Sequence, residues 1–184
     1  MDSIEQKRIE HRVRLHYEWG RLRRACLGFT PAIAIVSFAV MASKRPASAL
    51  AFGSMLFVAG AALLWYGREL KRAVLPGVLA GLTPLALSLC ANRLGHVCTG
   101  ERCLMLCVPA CMVGGLAAGL ALAALGYRRR YGLGFWMGAS TLALLTGAMG
   151  CACVGYSGVA GLGMGYAAGL APTLIQALFT RRPF

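Results

Sequence analysis

The side chains best suited to chemistry in this chain are eight cysteines among 184 residues. A thiolate binds soft metal ions such as Cu or Zn and attacks oxidants. His96 lies two residues before Cys98 and could add a nitrogen ligand to such a site. Soft-metal binding and thiol oxidation are therefore the chemistries to consider, and both depend on how the chain brings its cysteines together.

The composition shows which kind of element must position them. Hydrophobic residues make up 58% of the chain and charged residues only 14%, whereas soluble domains average about 25% charged. This composition excludes a soluble enzyme and predicts an integral membrane protein. Six segments approach the roughly 20 apolar residues needed to cross the hydrocarbon core as helices. They are residues 26–43, 48–67, 73–91, 103–127, 133–153 and 156–179.

No Asp, Glu, Lys, Arg or His lies inside any of these six segments. Ionisable residues within a membrane usually mark proton or ion pathways. A pump or an ion-coupled transporter is therefore disfavoured.

The basic residues predict the orientation. With the N-terminus inside, fifteen of the nineteen Lys and Arg residues lie on the cytoplasmic side, as the positive-inside rule requires. Because most loops are short, we expect an all-α membrane protein with six transmembrane helices arranged as three antiparallel hairpins and with both termini cytoplasmic. Residues 1–25 would form a cytoplasmic basic helical arm and residues 26–184 the bundle, whose first helix is expected to be uncleaved.

Glycines predict where helices pack closely. Gly161, Gly165 and Gly169 recur at four-residue spacing, and Gly77 and Gly81 do the same in an earlier span. Such ridges of small residues let helix backbones approach each other in lipid. We interpret these glycines as packing residues and not as ligand-binding ones.

The predicted topology collects seven of the eight cysteines, all but Cys26, on the extracytoplasmic side. Cys103, Cys107 and Cys111 are expected to share one face of the fourth span, because they lie four residues apart. Cys111 lies deepest, where a charged thiolate would be costly, so we expect it to be a packing residue. The predicted metal or redox site contains Cys90, His96, Cys98, Cys103, Cys107, Cys151 and Cys153.

Two other interpretations of these cysteines stay open. Buried thiols such as Cys107 and Cys111 can simply fill helix interfaces. In an oxidising compartment, pairs such as Cys98–Cys103 or Cys90–Cys151 could instead form disulfides. The spacing alone does not choose among packing, disulfides and sensing.

The arm carries apolar residues on two faces of a helix. That pattern suits a protein partner better than a flat lipid surface, which favours one broad apolar face. The alternative is a juxtamembrane arm with Trp19 as its interfacial anchor. The sequence has no nucleic-acid-binding motif. The predicted partner-binding residues are Ile9, Val13, Arg14, Tyr17, Trp19 and Arg21.

The second half of the chain resembles the NrsF-type membrane anti-sigma factors of bacteria. In that family the fourth span opens with Cys-Leu, contains Pro-Ala and ends at a basic loop, and a glycine-rich fifth span ends at a cysteine. The matching residues here are Cys103, Leu104, Pro109, Ala110, 128–130, Gly138, Gly147, Gly150 and Cys151. After that cysteine, the family carries a His-containing stretch that this chain lacks.

The resemblance implies a non-enzymatic regulator in the bacterial inner membrane. Such a protein would hold a cytoplasmic sigma factor until a metal or redox stress outside releases it. A small permease or channel for a metal or a neutral solute is the alternative, and a thiol-disulfide oxidoreductase is weaker because the chain has no Cys-x-x-Cys motif. Polar residues that could line a permease are Thr83, Ser88, Ser140, Thr141, Thr146 and Gln176.

Overall fold

The computed structural model describes residues 3–42, 46–66, 68–94, 96–99, 102–129, 131–151 and 155–179. Apart from one short hairpin, these residues are helical almost throughout. The helices are α1 (Ser3–Gly28), α2 (Pro31–Ala42), α3 (Pro46–Tyr66), α4 (Arg68–Leu94), α5 (Cys107–Arg129), α6 (Leu133–Cys151) and α7 (Tyr156–Phe179). The hairpin strands are β1 (His96–Thr99) and β2 (Arg102–Met105).

Local sequence accounts for several of the helix ends. Pro31 and Pro46 begin α2 and α3, because proline suits the first helical position, where its missing N–H is not needed. Gly155 precedes α7 with a φ of 90°, a left-handed conformation that glycine adopts without a steric penalty.

Among the described residues, four helices are long and apolar enough to cross a membrane: α3, α4 over Leu70–Ala91, α5 and α6. A fifth span results if α1 from Arg12 and α2 count as one span bent by 46°. These helices agree with the predicted multi-pass all-α membrane protein. Helix α7 has the predicted bounds of the sixth span, but it is not among those four, so the count of six stays a prediction.

Two predicted span boundaries are wrong. The first span is interrupted, because the helix that reaches Gly28 stops and a new one begins at Pro31. The fourth begins at Cys107 instead of Cys103, which lies in β2. Cys103 therefore does not share a helical face with Cys107 and Cys111. The apolar run from Cys103 to Leu106 contains no polar residue that would have marked a strand end.

The predicted packing into three sequential hairpins is also wrong in part. Contacts between α2 and α3 and between α4 and α5 exist, but α6 and α7 meet only sparsely. The most extensive contacts join α4 to α6 and α5 to α7. Helices two places apart in the sequence therefore form the tightest pairs of the bundle.

Glycines explain the α4–α6 pair. A Cβ placed on Gly77 would lie 2.8 Å from the carbonyl oxygen of Ala139, and one on Gly81 would lie 2.7 Å from that of Ala143. Since a side chain would clash at both positions, only glycine permits this approach. The contacts advance along both helices in the same sense, so α4 and α6 are parallel.

The α5–α7 pair is built in the same way. A Cβ on Gly119 would lie 2.5 Å from the carbonyl oxygen of Tyr166, and one on Gly169 would lie 2.5 Å from that of Leu116. Gly165 faces the carbonyl of Met112 even more closely. The predicted packing role of both glycine ridges is confirmed.

Between these pairs lies an apolar core. Phe135, Leu122 and Ala139 are buried in the cluster that joins α4, α5, α6 and α7. Phe29, Leu56 and Leu142 centre a second cluster, which attaches α2 and α3 to the remainder of the bundle. This scaffold holds the ends of α4, α5 and α6 together, where most of the cysteines lie.

Candidate functional site

The cysteine-rich end of the bundle is formed where α4 and α6 end and α5 begins. A Cβ on Gly150 would touch the hydroxyl oxygen of Ser88, so the last turns of α4 and α6 lie side by side. Cys90 is exposed on α4, Cys107 is half-buried at the start of α5, and Cys151 is buried at the end of α6. The structure thus places these three predicted residues at one end of the bundle.

Cys111 and Cys151 form the thiol pair of this end. Both residues are fully buried, with exposed fractions of 0%, and their side chains are neighbours in one apolar cluster. Ala148 and Leu162 complete the apolar cluster around them. The two thiols therefore join α5 to α6 within an apolar cluster.

The burial of Cys111 agrees with the expectation that it packs, since it is fully buried in an apolar cluster between helices. It contacts Cys151, one of the predicted site residues. Cys111, Gly115 and Gly119 follow each other at four-residue spacing, and the two glycines face α7 closely. That spacing of small residues was the available signal that Cys111 lies in a helix interface.

The hairpin carries two further predicted thiols and the predicted imidazole. In its antiparallel register Cys98 is paired with Cys103, and His96 is paired with Met105. Cys103 is thus brought beside Cys98 by a strand and not beside Cys107 by a helix. Cys153 lies outside the described residues.

In the described part of the chain, no group of three or more His, Cys, Asp or Glu side chains could hold a metal ion. Structural zinc takes four protein ligands in most sites, which is more than the Cys111–Cys151 pair supplies. Two adjacent thiols can instead be oxidised to a disulfide or provide two sulfur ligands for a soft ion such as Cu(I). The chemistry that this pair supports is dithiol chemistry.

The predicted partner-binding arm forms most of α1. Val13, Tyr17 and Trp19 are 63%, 61% and 68% exposed, so the contacts within the chain leave these large side chains open. Arg14 forms an exposed ion pair of 3.4 Å with Glu18, one helical turn away. The side chain of Ile9 lies outside the described residues. An apolar surface on an otherwise polar helix is suited to covering by another molecule.

Arg21, also predicted to bind the partner, contacts its own chain. Its Nη2 donates a hydrogen bond of 2.6 Å to the carbonyl oxygen of Trp65, in the last turn of α3. Its guanidinium also lies 5.9 Å from the ring centre of Tyr17, within the range of a cation–π contact. Since the carbonyls at a helix C-terminus attract cations, Arg21 holds α1 against the bundle.

One hydroxyl pair joins two helices of the bundle, and two other hydroxyl groups bond within their own helices. Tyr166 of α7 and Ser140 of α6 share a hydrogen bond of 2.7 Å, donated by the tyrosine. Ser88 and Thr141 donate to carbonyls of their own helices. Thr146 is fully buried, and its hydroxyl has no partner among the described residues.

Comparison with protein-family models, with curated proteins and with solved structures finds no match for this chain. Its function is therefore inferred from the geometry of the arm and of the thiol end.

Proposed function

We propose that this chain is a multi-pass anti-sigma factor of the bacterial inner membrane. Its arm holds a cytoplasmic sigma factor, and its extracytoplasmic thiols respond to a metal or redox stress. The observation that carries the proposal is the arm itself, a helix whose Val13, Tyr17 and Trp19 remain open while Arg21 attaches it to the bundle. A helix presented in this way can bind a protein partner through its apolar side chains.

The arrangement of the two candidate regions supports a sensor. Gly28, at the end of the arm helix, lies near Leu64 in the last turns of α3. Cys111 and Cys151 lie instead at the end where α6 finishes and α5 begins. A stimulus and a partner can therefore act on opposite sides of the bilayer. The positive-inside distribution assigns the arm to the cytoplasm.

The bundle hydroxyls favour this proposal over a permease. Ser88 and Thr141 donate to carbonyls of their own helices, and Ser140 accepts a bond from Tyr166 of the neighbouring helix, so all three hydroxyl groups have partners within the protein. Polar side chains that line a solute path would instead have to exchange their partners with the solute.

The partner is tested by replacing one large side chain of the arm. Trp19→Ala in the full chain should weaken capture of the sigma factor about thirtyfold, because loss of a central Trp anchor costs about 2 kcal/mol or more. Tyr66→Ala is the matched control, since Tyr66 is also an exposed aromatic residue, at 78%, but belongs to α3. The assay is co-purification of sigma factors with the membrane-inserted chain, together with transcription from sigma-dependent promoters.

Deletion of residues 1–20 provides the decisive comparison. It should release the sigma factor and raise transcription of its genes without stress. Unchanged transcription of every sigma-dependent gene after this deletion would refute the anti-sigma proposal.

The sensing part is tested at the buried thiol pair. Cys111→Ala and Cys151→Ala should each remove the response to Cu, Cd or an oxidant, because each breaks the same dithiol. Cys26→Ala is the control, since that thiol lies in α1. A normal response in the double variant would show that Cys111 and Cys151 only pack.

The orientation is tested separately. A reporter that is active only in the cytoplasm should work when fused after Arg182 and should fail when fused after Gly100. The opposite result would place the hairpin in the cytoplasm and would refute both the topology and the proposed external sensing.

A further inference from the structure

The hairpin between α4 and α5 fixes the relative positions of two cysteines. Strands β1 and β2 are antiparallel, and their register pairs Thr99 with Arg102 and Cys98 with Cys103. Only Gly100 and Glu101 connect the paired positions 99 and 102.

The length of the connection determines which residue pairs are hydrogen-bonded and which are not. In a two-residue hairpin, the residues that flank the turn exchange both backbone hydrogen bonds, and the pairs then alternate along the strands. Thr99 and Arg102 are the flanking pair, so Cys98 and Cys103 occupy the next, non-hydrogen-bonded pair. The Cα atoms of such a pair lie about 4.5 Å apart, and disulfides span Cα distances of roughly 4.4–6.8 Å.

We infer that Cys98 and Cys103 form a cross-strand disulfide that closes the hairpin and does not take part in sensing. The inference rests on the proposed orientation, which places the hairpin in the oxidising compartment. It divides the outer thiols of the proposed sensor into a permanent disulfide in the hairpin and the responsive pair Cys111 and Cys151 in the bundle.

The reaction is a thiol–disulfide exchange with an extracytoplasmic protein disulfide as the oxidant. The thiolate of one hairpin cysteine attacks the oxidant and displaces one of its sulfurs as a thiol. The second hairpin cysteine then attacks this mixed disulfide, which forms the Cys98–Cys103 bond and releases the other sulfur. Two protons leave the hairpin thiols, and the oxidant is reduced to two thiols. In vitro, oxidised glutathione serves as the probe oxidant.

Trypsin provides a direct readout, because Arg102 lies between the two cysteines. The full chain is extracted from membranes without reductant, its thiols are blocked with N-ethylmaleimide, and it is denatured and digested. Cleavage after Arg93 and Arg102 separates peptide 94–102 from the peptide that begins at Cys103. Nearly all of peptide 94–102 should remain linked to that second peptide until a reductant is added, both with and without metal or oxidant stress.

Two variants identify the bonded sulfur, since Cys107 and Cys111 lie in the same tryptic peptide as Cys103. Cys103→Ser should release peptide 94–102 with a blocked Cys98, whereas Cys107→Ser should leave it linked. Refolding of the reduced chain with oxidised glutathione should restore the same link.

Three results would overturn the inference. Recovery of unlinked peptide 94–102 from unstressed cells, with the reporter after Gly100 inactive, would refute the disulfide while leaving the orientation and the anti-sigma proposal intact. Unlinked peptide with that reporter active would refute the orientation as well. A bond from Cys98 to Cys107 would show that the hairpin pairing does not direct oxidation.

Discussion

Replacing Gly169 in α7 by alanine tests one of the close backbone approaches between α5 and α7. A Cβ there would lie 2.5 Å from the carbonyl oxygen of Leu116 and 2.9 Å from the amide nitrogen of Leu120. Ordinary van der Waals contact begins at 3.4 Å, so the oxygen contact is short by about 0.9 Å. Both atoms belong to the backbone, and no rotamer change can relieve the overlap. Helix α7 would have to move away from α5.

The magnitude follows from a comparison within the same helix. Overpacking of a well-packed site typically costs about 1–3 kcal/mol, and the gain of alanine over glycine in helix propensity offsets up to about 1 kcal/mol of this. Gly163 is the matched control, because a Cβ there would meet no atom within 4 Å. Since both substitutions gain the same propensity, the difference between Gly163→Ala and Gly169→Ala isolates the packing cost, about 1–3 kcal/mol.

The assay is unfolding of the full chain in mixed micelles as the fraction of sodium dodecyl sulfate rises, followed by circular dichroism. Gly163→Ala should equal or slightly exceed the parent chain in free energy of unfolding, and Gly169→Ala should fall below Gly163→Ala by the stated amount. Equal free energies for the two variants would show that α5 and α7 are not in backbone contact at this position, and the described pairing would then be incorrect.

Three further substitutions test single contacts. Arg21→Gln removes the guanidinium that bonds to the Trp65 carbonyl. Because a typical hydrogen bond contributes about 1 kcal/mol, amide hydrogen exchange in α1 should become severalfold faster. Unchanged exchange would mean that Arg21 does not attach the arm. Tyr166→Phe loses the bond to Ser140 and should lower the free energy of unfolding by about 0.6–1.7 kcal/mol, with no change counting against that bond. Thr146→Val replaces a buried hydroxyl, which has no described partner, by a methyl group of similar size. The free energy of unfolding should stay unchanged or rise by about 1 kcal/mol. A decrease of about 1 kcal/mol or more would reveal a hydrogen bond at Thr146.

Arg21 connects the arm to the bundle in a way that bears on regulation. Its hydrogen bond reaches the carbonyl of Trp65, and its guanidinium also faces Tyr17 on the exposed side of α1. A partner that covers Tyr17 would therefore contact the residue that sets the position of the arm. If the arm holds a sigma factor, its binding and its attachment to the bundle are coupled through this side chain.

The sequence by itself determined the class of protein and much of its helix layout. Long apolar runs with few charges specify membrane helices, because an unpaired backbone polar group is costly in hydrocarbon. Helix α6 begins at the predicted Leu133, and α7 has the predicted bounds. The role of Gly165 and Gly169 was also predictable, since the spacing of small residues along a helix directly defines a face.

Only the tertiary structure decided which helices meet. Short loops constrain where consecutive helices end, but they do not determine which faces pack. The glycine ridges bring α4 to α6 and α5 to α7. A sequence pattern shows that a helix has a close-packing face, but it does not identify the helix that lies against it.

The sequence did not predict the pairing of the cysteines for the same reason. Cys111 and Cys151 are forty residues apart in sequence and meet because α5 and α6 are held in one bundle. Cys98 and Cys103 are paired because residues 102–105 form the second strand of a hairpin, although the apolar run from Cys103 had predicted the start of the fourth span. The hydrophobicity of so short a run does not distinguish a strand from a helix. Backbone hydrogen bonding and the packing of neighbouring helices determine which of the two forms.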